Sequence, residues 1–304
     1  MTREPLHAGP ARNGPRKLGW GSEHHLIAAT RKNFPGGHVI LTIVIRIGIG
    51  GWTYQPWRGT FYPGELVQKR ELHYASRRLT SIEINGTYYG SQKPATFAKW
   101  RDETPDGFVF SIKAPRFAMN RSVLAGAGST IARFIDSGIM ELKDKLGPIN
   151  WQFLPTKQFE PADFAAFLKL LPRQAEGRVL RHAVEVRHDS FCSPEFIALV
   201  RGHGVAVVTA ADSPYPQIAD VTASFVYARI MGTQPGEKCG YSDAALDGWA
   251  GRVRAWARGT PPHGLAHVGP PGADGKPRDV FLYVIGGHKV HDPAAAMSLI
   301  QRLR

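Results

Sequence analysis

Eight short segments with β-strand character recur between residues 41 and 304, and most are separated by a segment of helical periodicity. They lie at 42–49, 81–85, 108–113, 149–154, 183–187, 206–210, 225–230 and 280–285. Eight strands that alternate with helices over about 260 residues predict an α/β chain folded as one TIM-like parallel (β/α)8 barrel. A doubly wound open sheet is the alternative, but its phosphate-binding turn is missing. Gly48-Ile49-Gly50-Gly51 lacks the third glycine and continues into Trp52.

Apolar residues at helical spacing predict helices that pack against the outside of this barrel. The clearest stripes lie within residues 131–142, 164–171 and 246–256. Proline is tolerated in the first turn of a helix, so it also marks two helix starts. These are Pro194 behind a Ser193 cap, and Pro293 behind Asp292.

Two stretches fall outside the alternating pattern. Residues 1–40 are rich in Gly, Pro, Arg and His without periodicity, which predicts either a flexible, disordered extension or translated sequence upstream of the true start. Residues 260–278 are rich in Pro and Gly and predict an insertion before the last strand. We therefore expect one barrel domain at 41–304.

Composition restricts the partners and the compartment. The chain has 38 Lys and Arg against 25 Asp and Glu, a net charge of +13 that suits an anionic ligand. Long basic runs are missing, so nucleic acid is only weakly indicated, and we expect a small anionic or carbohydrate-like ligand. Cys192 and Cys239 form no disulfide framework, which is typical of a cytoplasmic protein. The longest apolar run, 39–51, contains Arg46 and is too short to span a bilayer, so no membrane partner is expected.

Charged side chains interrupt several of these apolar strands. Glu83 shares a strand face with Asn85, Lys113 ends the third strand, and Glu185 lies two residues before Arg187. A buried charge is costly unless it is paired or used, and the active site of a (β/α)8 barrel lies at the carboxyl ends of its strands. We therefore expect one site there, with Glu83 and Glu185 as the catalytic pair. The substrate-binding candidates are Trp52, Tyr54, Trp57, Asn85, Tyr88, Lys113, Arg116, Gln152, Arg187, His188, Asp212 and Arg229.

The loops after the strands resemble those of a known family. Gly-Ile-Gly-Gly-Trp-Thr-Tyr at 48–54 and Glu-Ile-Asn-Gly-Thr-Tyr-Tyr at 83–89 are similar to motifs of the YecE-like family, domain of unknown function 72. Further matching motifs lie at 57–63, 94–100, 110–116, 146–148 and 185–191. The resemblance covers about residues 45–303 and implies a TIM barrel whose site is built from these loops, without implying a reaction. The chain departs from the family pattern at Met231-Gly232 and at 286–289.

Three functions fit the predicted site. The favoured one is a glycosidase-like hydrolase, in which Glu83 and Glu185 serve as acid and base while basic residues hold an anionic or sugar-like substrate. A second is a divalent-metal-dependent isomerase or phosphodiesterase that uses Glu83, Glu185, Asp212 and His188. These residues form no compact ligand motif, so no metal is assigned and the cofactor stays unknown. The third is a non-catalytic module that binds nucleic acid or a phosphorylated ligand.

A structural role is the competing interpretation for each single charge. Glu83 with Lys113, and Glu185 with Arg187 or Arg229, are predicted pairs that would fix the barrel interior. Serine or cysteine nucleophiles have little support, because no Gly-x-Ser-x-Gly turn occurs and neither cysteine has a base partner in sequence.

Overall fold

Eleven strands occur in the computed structural model, which describes residues 26–34, 37–269 and 274–304. They are β1 (Leu26–Phe34), β2 (Gly37–Gly50), β3 (Ser81–Ile84), β4 (Val109–Lys113), β5 (Leu146–Gln152), β6 (Gln174–Ala175), β7 (Arg178–Val179), β8 (His182–Glu185), β9 (Ala206–Ala211), β10 (Phe225–Ile230) and β11 (Asp279–Val284). Eight of them are parallel and run in the order β2, β3, β4, β5, β8, β9, β10 and β11. The barrel closes because β2 pairs with both β3 and β11. The predicted α/β barrel and its eight strands are confirmed.

The described helices surround this barrel. They are α1 (Glu71–Ala75), α2 (Gly86–Tyr89), α3 (Pro94–Glu103), α4 (Arg116–Met119), α5 (Gly128–Ile135), α6 (Pro161–Leu170), α7 (Pro194–His203), α8 (Asp243–Arg258) and α9 (Asp292–Leu303). Two of the predicted stripes form α6 and α8, and their apolar faces are buried against the strands. None of the described helices has the length and apolar character needed to cross a membrane.

Two predicted helix details differ in the structure. Ser193 caps α7 as expected, accepting the Phe196 N–H at 3.2 Å. Asp292, however, lies inside the first turn of α9, behind His291 at the N-cap, and its Oδ1 accepts a hydrogen bond from the Thr233 hydroxyl at 3.0 Å. The predicted 131–142 stripe is also divided, because the left-handed Gly138 (φ +100°) separates α5 from a 3-10 segment at Ile139–Lys145.

The N-terminal extension contributes the only antiparallel strand paired to the barrel in the described chain. β1 pairs with β2, with Leu26 opposite Ile45 and Phe34 opposite Gly37. The overall Gly, Pro, Arg and His content of residues 1–40 did not indicate this pairing. The local sequence does contain a hairpin signal, because Pro-Gly-Gly at 35–37 separates two apolar runs. Residues 1–25 and 35–36 of the predicted extension lie outside the described residues, as do residues 270–273 of the predicted insertion.

The strands alternate between an outer and an inner face. Ile47 and Ile49 of β2 point outward into the apolar layer beneath the helices, whereas Gly48 faces the barrel interior. A Cβ on Gly48 would lie 2.1 Å from the Ser81 carbonyl oxygen and 3.2 Å from the Tyr283 ring. The missing side chain therefore lets a tyrosine fill the middle of the barrel.

Candidate active site at the barrel mouth

Four charged side chains converge inside the carboxyl-terminal end of the barrel. Glu83, Lys113, Glu185 and Arg229 lie at or next to the ends of β3, β4, β8 and β10. Their neighbours in sequence, such as Ile82, belong to the outer apolar layer, so the period-two alternation of a strand turns the charges inward. The predicted convergence of these four residues is therefore present.

Arg229 is the centre of this cluster. Its Nη2 donates to Glu83 Oε1 at 3.2 Å and its Nη1 donates to Glu185 Oε2 at 2.6 Å. Both glutamate side chains are fully buried, and only 4% of the arginine side chain is exposed. One guanidinium therefore holds both predicted catalytic carboxylates.

Two uncharged side chains also donate to the carboxylates, and a third bonds Arg229. The Tyr227 hydroxyl donates to Glu83 Oε2. The Asn150 amide donates to Glu83 Oε2 at 3.4 Å and to Glu185 Oε2 at 3.2 Å. Gln152 accepts a hydrogen bond from Arg229 at 3.3 Å. Every carboxylate oxygen of the pair thus already has a donor from the protein.

A hydroxyl layer supports the cluster from below. Tyr283 Oη lies 2.7 Å from Ser81 Oγ and 2.5 Å from Ser111 Oγ, and its ring lies 5.2 Å from that of Tyr227. Burial raises the pKa of both tyrosines, and the Glu83 carboxylate raises it further. Both phenols are therefore neutral at physiological pH, and the Tyr227 hydroxyl is the one that donates to the Glu83 carboxylate above it.

Arg187 is the most exposed charge of this group. It follows β8, and its Nε and Nη2 donate to Glu185 Oε1 at 2.9 and 2.6 Å. Its guanidinium also lies 4.1 Å from the centre of the Tyr215 ring. Its side chain is 15% exposed, against 4% for Arg229 and none for the glutamates. A ligand that enters from solvent would therefore meet Arg187 before the carboxylates.

The cations set the charge of Glu185. Burial alone would raise its pKa, but Arg229, Arg187 and Lys113 together outweigh burial and lower the pKa to about 2. Burial would likewise lower the pKa of Arg229, and the two carboxylates raise it instead. Glu185 is therefore an anion at neutral pH. A general acid at this position would instead have to carry a proton at that pH.

Lys113 differs from both arginines because it has no acidic partner. Within the described chain no carboxylate oxygen lies within 4.0 Å of its Nζ, which sits 4.2 Å from the centre of the Tyr88 ring. The residue is 7% exposed. Burial, followed by repulsion from Arg229, lowers the pKa of Lys113 to about 8, although Glu83 and Glu185 oppose this shift. The predicted Glu83–Lys113 ion pair is therefore replaced by Glu83–Arg229, while both predicted partners of Glu185 are present.

The aromatic residues predicted for the first loop take different positions. Trp57 is fully buried and donates its indole N–H to the Lys289 carbonyl oxygen at 2.9 Å, so it supports the loop and does not face a ligand. Tyr54 is partly exposed, with Lys289 Nζ 4.4 Å from its ring centre. Trp52 is partly exposed and packs edge-on against Trp100 at 5.1 Å.

Two predicted polar residues, His188 and Asp212, lie apart from the carboxylate cluster. His188 Nδ1 accepts the Ser190 N–H at 3.1 Å and caps a short 3-10 turn. Asp212 accepts hydrogen bonds from Tyr241 at 3.0 Å and from Trp249 at 3.2 Å, which places it in the packing of α8. Nowhere in the described parts of the chain do three or more His, Cys, Asp or Glu side chains gather as they would around a metal ion. The four residues named for the metal-dependent alternative are therefore not brought together.

The remaining candidates lie around the rim. Asn85 precedes α2, and its amide is 3.5 Å from the Glu83 backbone oxygen. Tyr88 is buried in α2 beneath Lys113. Arg116 begins α4, with its guanidinium 5.8 and 5.3 Å from the ring centres of the exposed Tyr89 and Phe117.

Sequence reasoning missed two residues at the heart of the site, Asn150 and Tyr227. Both could be found from the alternation, because each lies two residues before a predicted candidate on the same strand face, Gln152 and Arg229. Two atoms here also lack a hydrogen-bond partner: Asn150 Oδ1 and Arg229 Nε are buried without one in the described structure. An acceptor and a donor thus stay unused next to the carboxylates.

Comparison with known proteins identifies relatives over most of the chain. A family model described as "Protein of unknown function DUF72" matches residues 46–304. The UPF0759 proteins YecE of Escherichia coli strains K12 and O157:H7 are each 27% identical over 151 residues, which cover 49% of this chain and 50% of each relative. The alignment thus spans about half the length of these curated relatives.

Solved structures give the same fold. A DUF72 family protein from Thermotoga maritima MSB8 superimposes with a TM-score of 0.65 at 19% identity, covering 84% of this chain and 98% of that chain. A DUF72 family protein from Enterococcus faecalis V583 gives a TM-score of 0.60 at 16% identity, covering 84% and 96% of the two chains. At this level of identity the likeness shows the fold alone.

Proposed function

This chain belongs to the DUF72 family of proteins of unknown function, and from the geometry of its barrel mouth we propose that it is an enzyme for a small anionic substrate. The observation that carries the proposal is the charge of the mouth: the cations Lys113, Arg187 and Arg229 face only two carboxylates. The site therefore carries an unbalanced positive charge close to solvent.

The alternative, a purely structural ion-pair network, accounts less well for the arrangement. Replacing a buried ion pair with well-packed apolar residues is often neutral or stabilising, so stability alone does not require one. Barrel interiors are commonly filled with Val, Ile and Leu. Phe225 and Phe281 lie 6.0 Å apart in the lower interior of this barrel, whereas the cluster of Glu83, Glu185 and Arg229 lies at the end where barrel enzymes bind substrates.

In this proposal the residues have distinct tasks. Arg187 holds the anionic group of the substrate, because its guanidinium is more exposed than that of Arg229 and Glu185 fixes its orientation. Glu83 and Glu185 position the arginines. Lys113 exchanges protons, since a group with a pKa of about 8 is partly charged and partly neutral near physiological pH.

Glycosidase-like hydrolysis by the two carboxylates receives less support from these contacts. A glycosidase needs one carboxyl group protonated to donate to the leaving oxygen. Glu185, with its pKa lowered to about 2, is not protonated at neutral pH, and the Glu83 oxygens are engaged by Arg229, Tyr227 and Asn150. A sugar-like substrate remains compatible when it carries a phosphate or a carboxylate.

Anion binding tests this proposal directly. Titration calorimetry with inorganic phosphate and with sulfate compares the wild type with Arg187→Gln and with Arg70→Gln, which alters an exposed arginine on the 3-10 turn before α1. A charge-assisted hydrogen bond is worth about 1.5–3 kcal/mol, so Arg187→Gln should weaken binding by roughly tenfold to a hundredfold, whereas Arg70→Gln should not. Equal affinity in all three proteins would overturn the assignment of the anion site.

A second function, binding of single-stranded nucleic acid, is supported by one rim feature. Tyr89 and Phe117 are 66% and 59% exposed, and the Arg116 guanidinium lies near both rings. Exposed aromatic rings beside a cation form a stacking platform worth about 1–3 kcal/mol per base. Salt-dependent binding of oligonucleotides that is weakened by Tyr89→Ala would favour this function, and salt-independent or Tyr89-independent binding would count against it.

A further inference from the structure

Among the three cations of the central cluster, Lys113, Arg187 and Arg229, only Lys113 has a head group that no carboxylate of the described structure holds within 4.0 Å. Its amine lies close enough to both arginines to be repelled by them. We propose that this amine attacks the carbonyl carbon of a small anionic aldehyde or ketone and forms an imine. The inference rests on the proposed function, because it takes Arg187 as the anchor of the substrate anion.

The backbone at Lys113 is held on both sides, and an aromatic ring lies against its amine. The Thr87 hydroxyl donates to the Lys113 carbonyl oxygen at 2.7 Å, and the Ala114 N–H donates to the Asn150 carbonyl oxygen at 2.9 Å, so the end of β4 is held on both sides. The Tyr88 ring covers one side of Nζ at 4.2 Å. A nucleophile carried on a fixed strand end has less conformational freedom to lose when it attacks than one carried on a mobile loop.

The surroundings of Lys113 make its neutral amine easier to form than that of an ordinary lysine. Burial disfavours the ammonium form most, and Arg229 on β10 and Arg187 after β8 repel it as well. Glu83 on β3 and Glu185 on β8 attract the ammonium but are neutralised by those same arginines, and Tyr88 on α2 contributes a neutral ring. A lysine that is desolvated beside other cations is activated for nucleophilic attack.

The chemistry needs no co-reactant. The nitrogen lone pair forms a bond to the carbonyl carbon while the carbonyl π electrons move to oxygen, which takes up a proton and gives a carbinolamine. Nitrogen gives up one of its two protons, which leaves a neutral carbinolamine, and the hydroxyl then takes up a second proton. The nitrogen lone pair forms the C=N bond as the C–O bond breaks and water leaves, and nitrogen gives up its remaining proton. One amine and one carbonyl compound thus yield one imine and one water. The arginine side chains cannot perform this step near neutral pH, because a guanidinium stays protonated.

Reductive trapping tests the inference. The full chain is incubated with glyoxylate or pyruvate and cyanoborohydride, which reduces an imine to a stable secondary amine, and adducts are located by intact mass and peptide mapping. Lys113 should be labelled at least about tenfold faster than Lys99, whose side chain is 67% exposed on α3. Labelling should saturate with probe concentration and slow when inorganic phosphate is added.

Variants and peptide mapping keep the outcome decisive. Lys113→Arg should lose the fast adduct while retaining the wild-type circular dichroism spectrum, and Lys99→Arg should keep it. Mapping of the wild-type protein identifies the labelled residue even if Lys113→Arg does not fold. Adducts spread over exposed lysines without preference for Lys113, or an unchanged rate in Lys113→Arg, would overturn the inference.

The same preparation separates this inference from the proposed function. If phosphate binds in an Arg187-dependent manner but neither probe labels Lys113, the anion site stands and the imine is refuted. If phosphate does not bind and Lys113 is not labelled, both fail. If Lys113 is labelled without Arg187-dependent phosphate binding, the amine is a nucleophile and the anchoring role of Arg187 is refuted.

Discussion

Replacing Glu185 with Gln should change the acid stability of the barrel in a calculable way. The carboxyl pKa is about 2 in the folded protein, against the ordinary 4.5 expected in the unfolded chain. Because the folded pKa is the lower one, the stabilisation from the anion is complete above pH 4.5 and is lost as the pH falls from there through about 2. Glu185 is fully buried, so solvent screening does not reduce this effect.

The magnitude follows from the two pKa values. Their difference of about 2.5 corresponds to roughly 3 kcal/mol of unfolding free energy at pH 7, of which about 2 kcal/mol is already lost at pH 3. Glu185→Gln has no carboxyl to protonate at this position. Its stability should therefore be lower at pH 7 but should fall by about 2 kcal/mol less than that of the wild type between pH 7 and pH 3.

Urea denaturation followed by tryptophan fluorescence, in steps from pH 7 to pH 3, measures this difference. Glu65→Gln is the matched control, because Glu65 is exposed in the loop before α1. It should show the wild-type dependence on pH. If Glu185→Gln loses as much stability on acidification as the wild type, the arginines do not hold Glu185 as a buried anion, and the electrostatic basis of the proposed site is refuted.

Three other changes test separate parts of the structure. Arg229→Met should lower the unfolding free energy by about 3–5 kcal/mol in urea denaturation, because it leaves two buried carboxylates without their shared partner; a loss below 1 kcal/mol would contradict the network. Gly48→Ala should prevent correct packing, since its Cβ would lie 2.1 Å from the Ser81 carbonyl oxygen, whereas Gly64→Ala, with open space around the Cβ, should leave the melting temperature nearly unchanged. Burial raises the pKa of Asp292 to about 7, above its unfolded value near 3.9. The wild type should therefore lose stability as the pH rises through 7. Asp292→Asn should lose less stability than the wild type when thermal unfolding is compared at pH 5 and pH 8.

The barrel could be predicted from the sequence because its signal is repeated eight times. Each strand is short and carries β-branched or aromatic residues in alternation, so an error in one segment would not change the architecture. The pairing of β1 with β2 was not predicted, because two short apolar runs next to a Gly- and Pro-rich segment are a weak local signal. Only the part of β2 that pairs within the barrel, predicted as residues 42–49, could be recognised from the sequence, and the part before it that pairs with β1 could not.

The sequence predicts which strand ends contribute residues to the candidate site, but it does not predict how those residues pair. Alternation places Glu83 and Glu185 inside the barrel, but it does not say which cation reaches them, because that depends on the stagger between strands. The predicted Glu83–Lys113 pair was reasonable for neighbouring strands, yet Arg229 from across the barrel takes that position. Trp57 shows the same limit, since burial of a loop residue depends on packing that its sequence neighbours do not reveal.

Strand β10 shows how the barrel accommodates buried charge. Along one inner face it presents Phe225, Tyr227 and Arg229, so the interior changes from apolar to amphipathic to charged within five residues. The Tyr227 ring packs with the apolar layer below, while its hydroxyl donates to Glu83 above. A uniformly apolar strand would fill the same volume without desolvating any ion, so the buried charges on β10 are not explained by stability. Action of the charged end on a ligand would explain them, and the Lys113 amine, which no carboxylate holds, is the group available to react with that ligand.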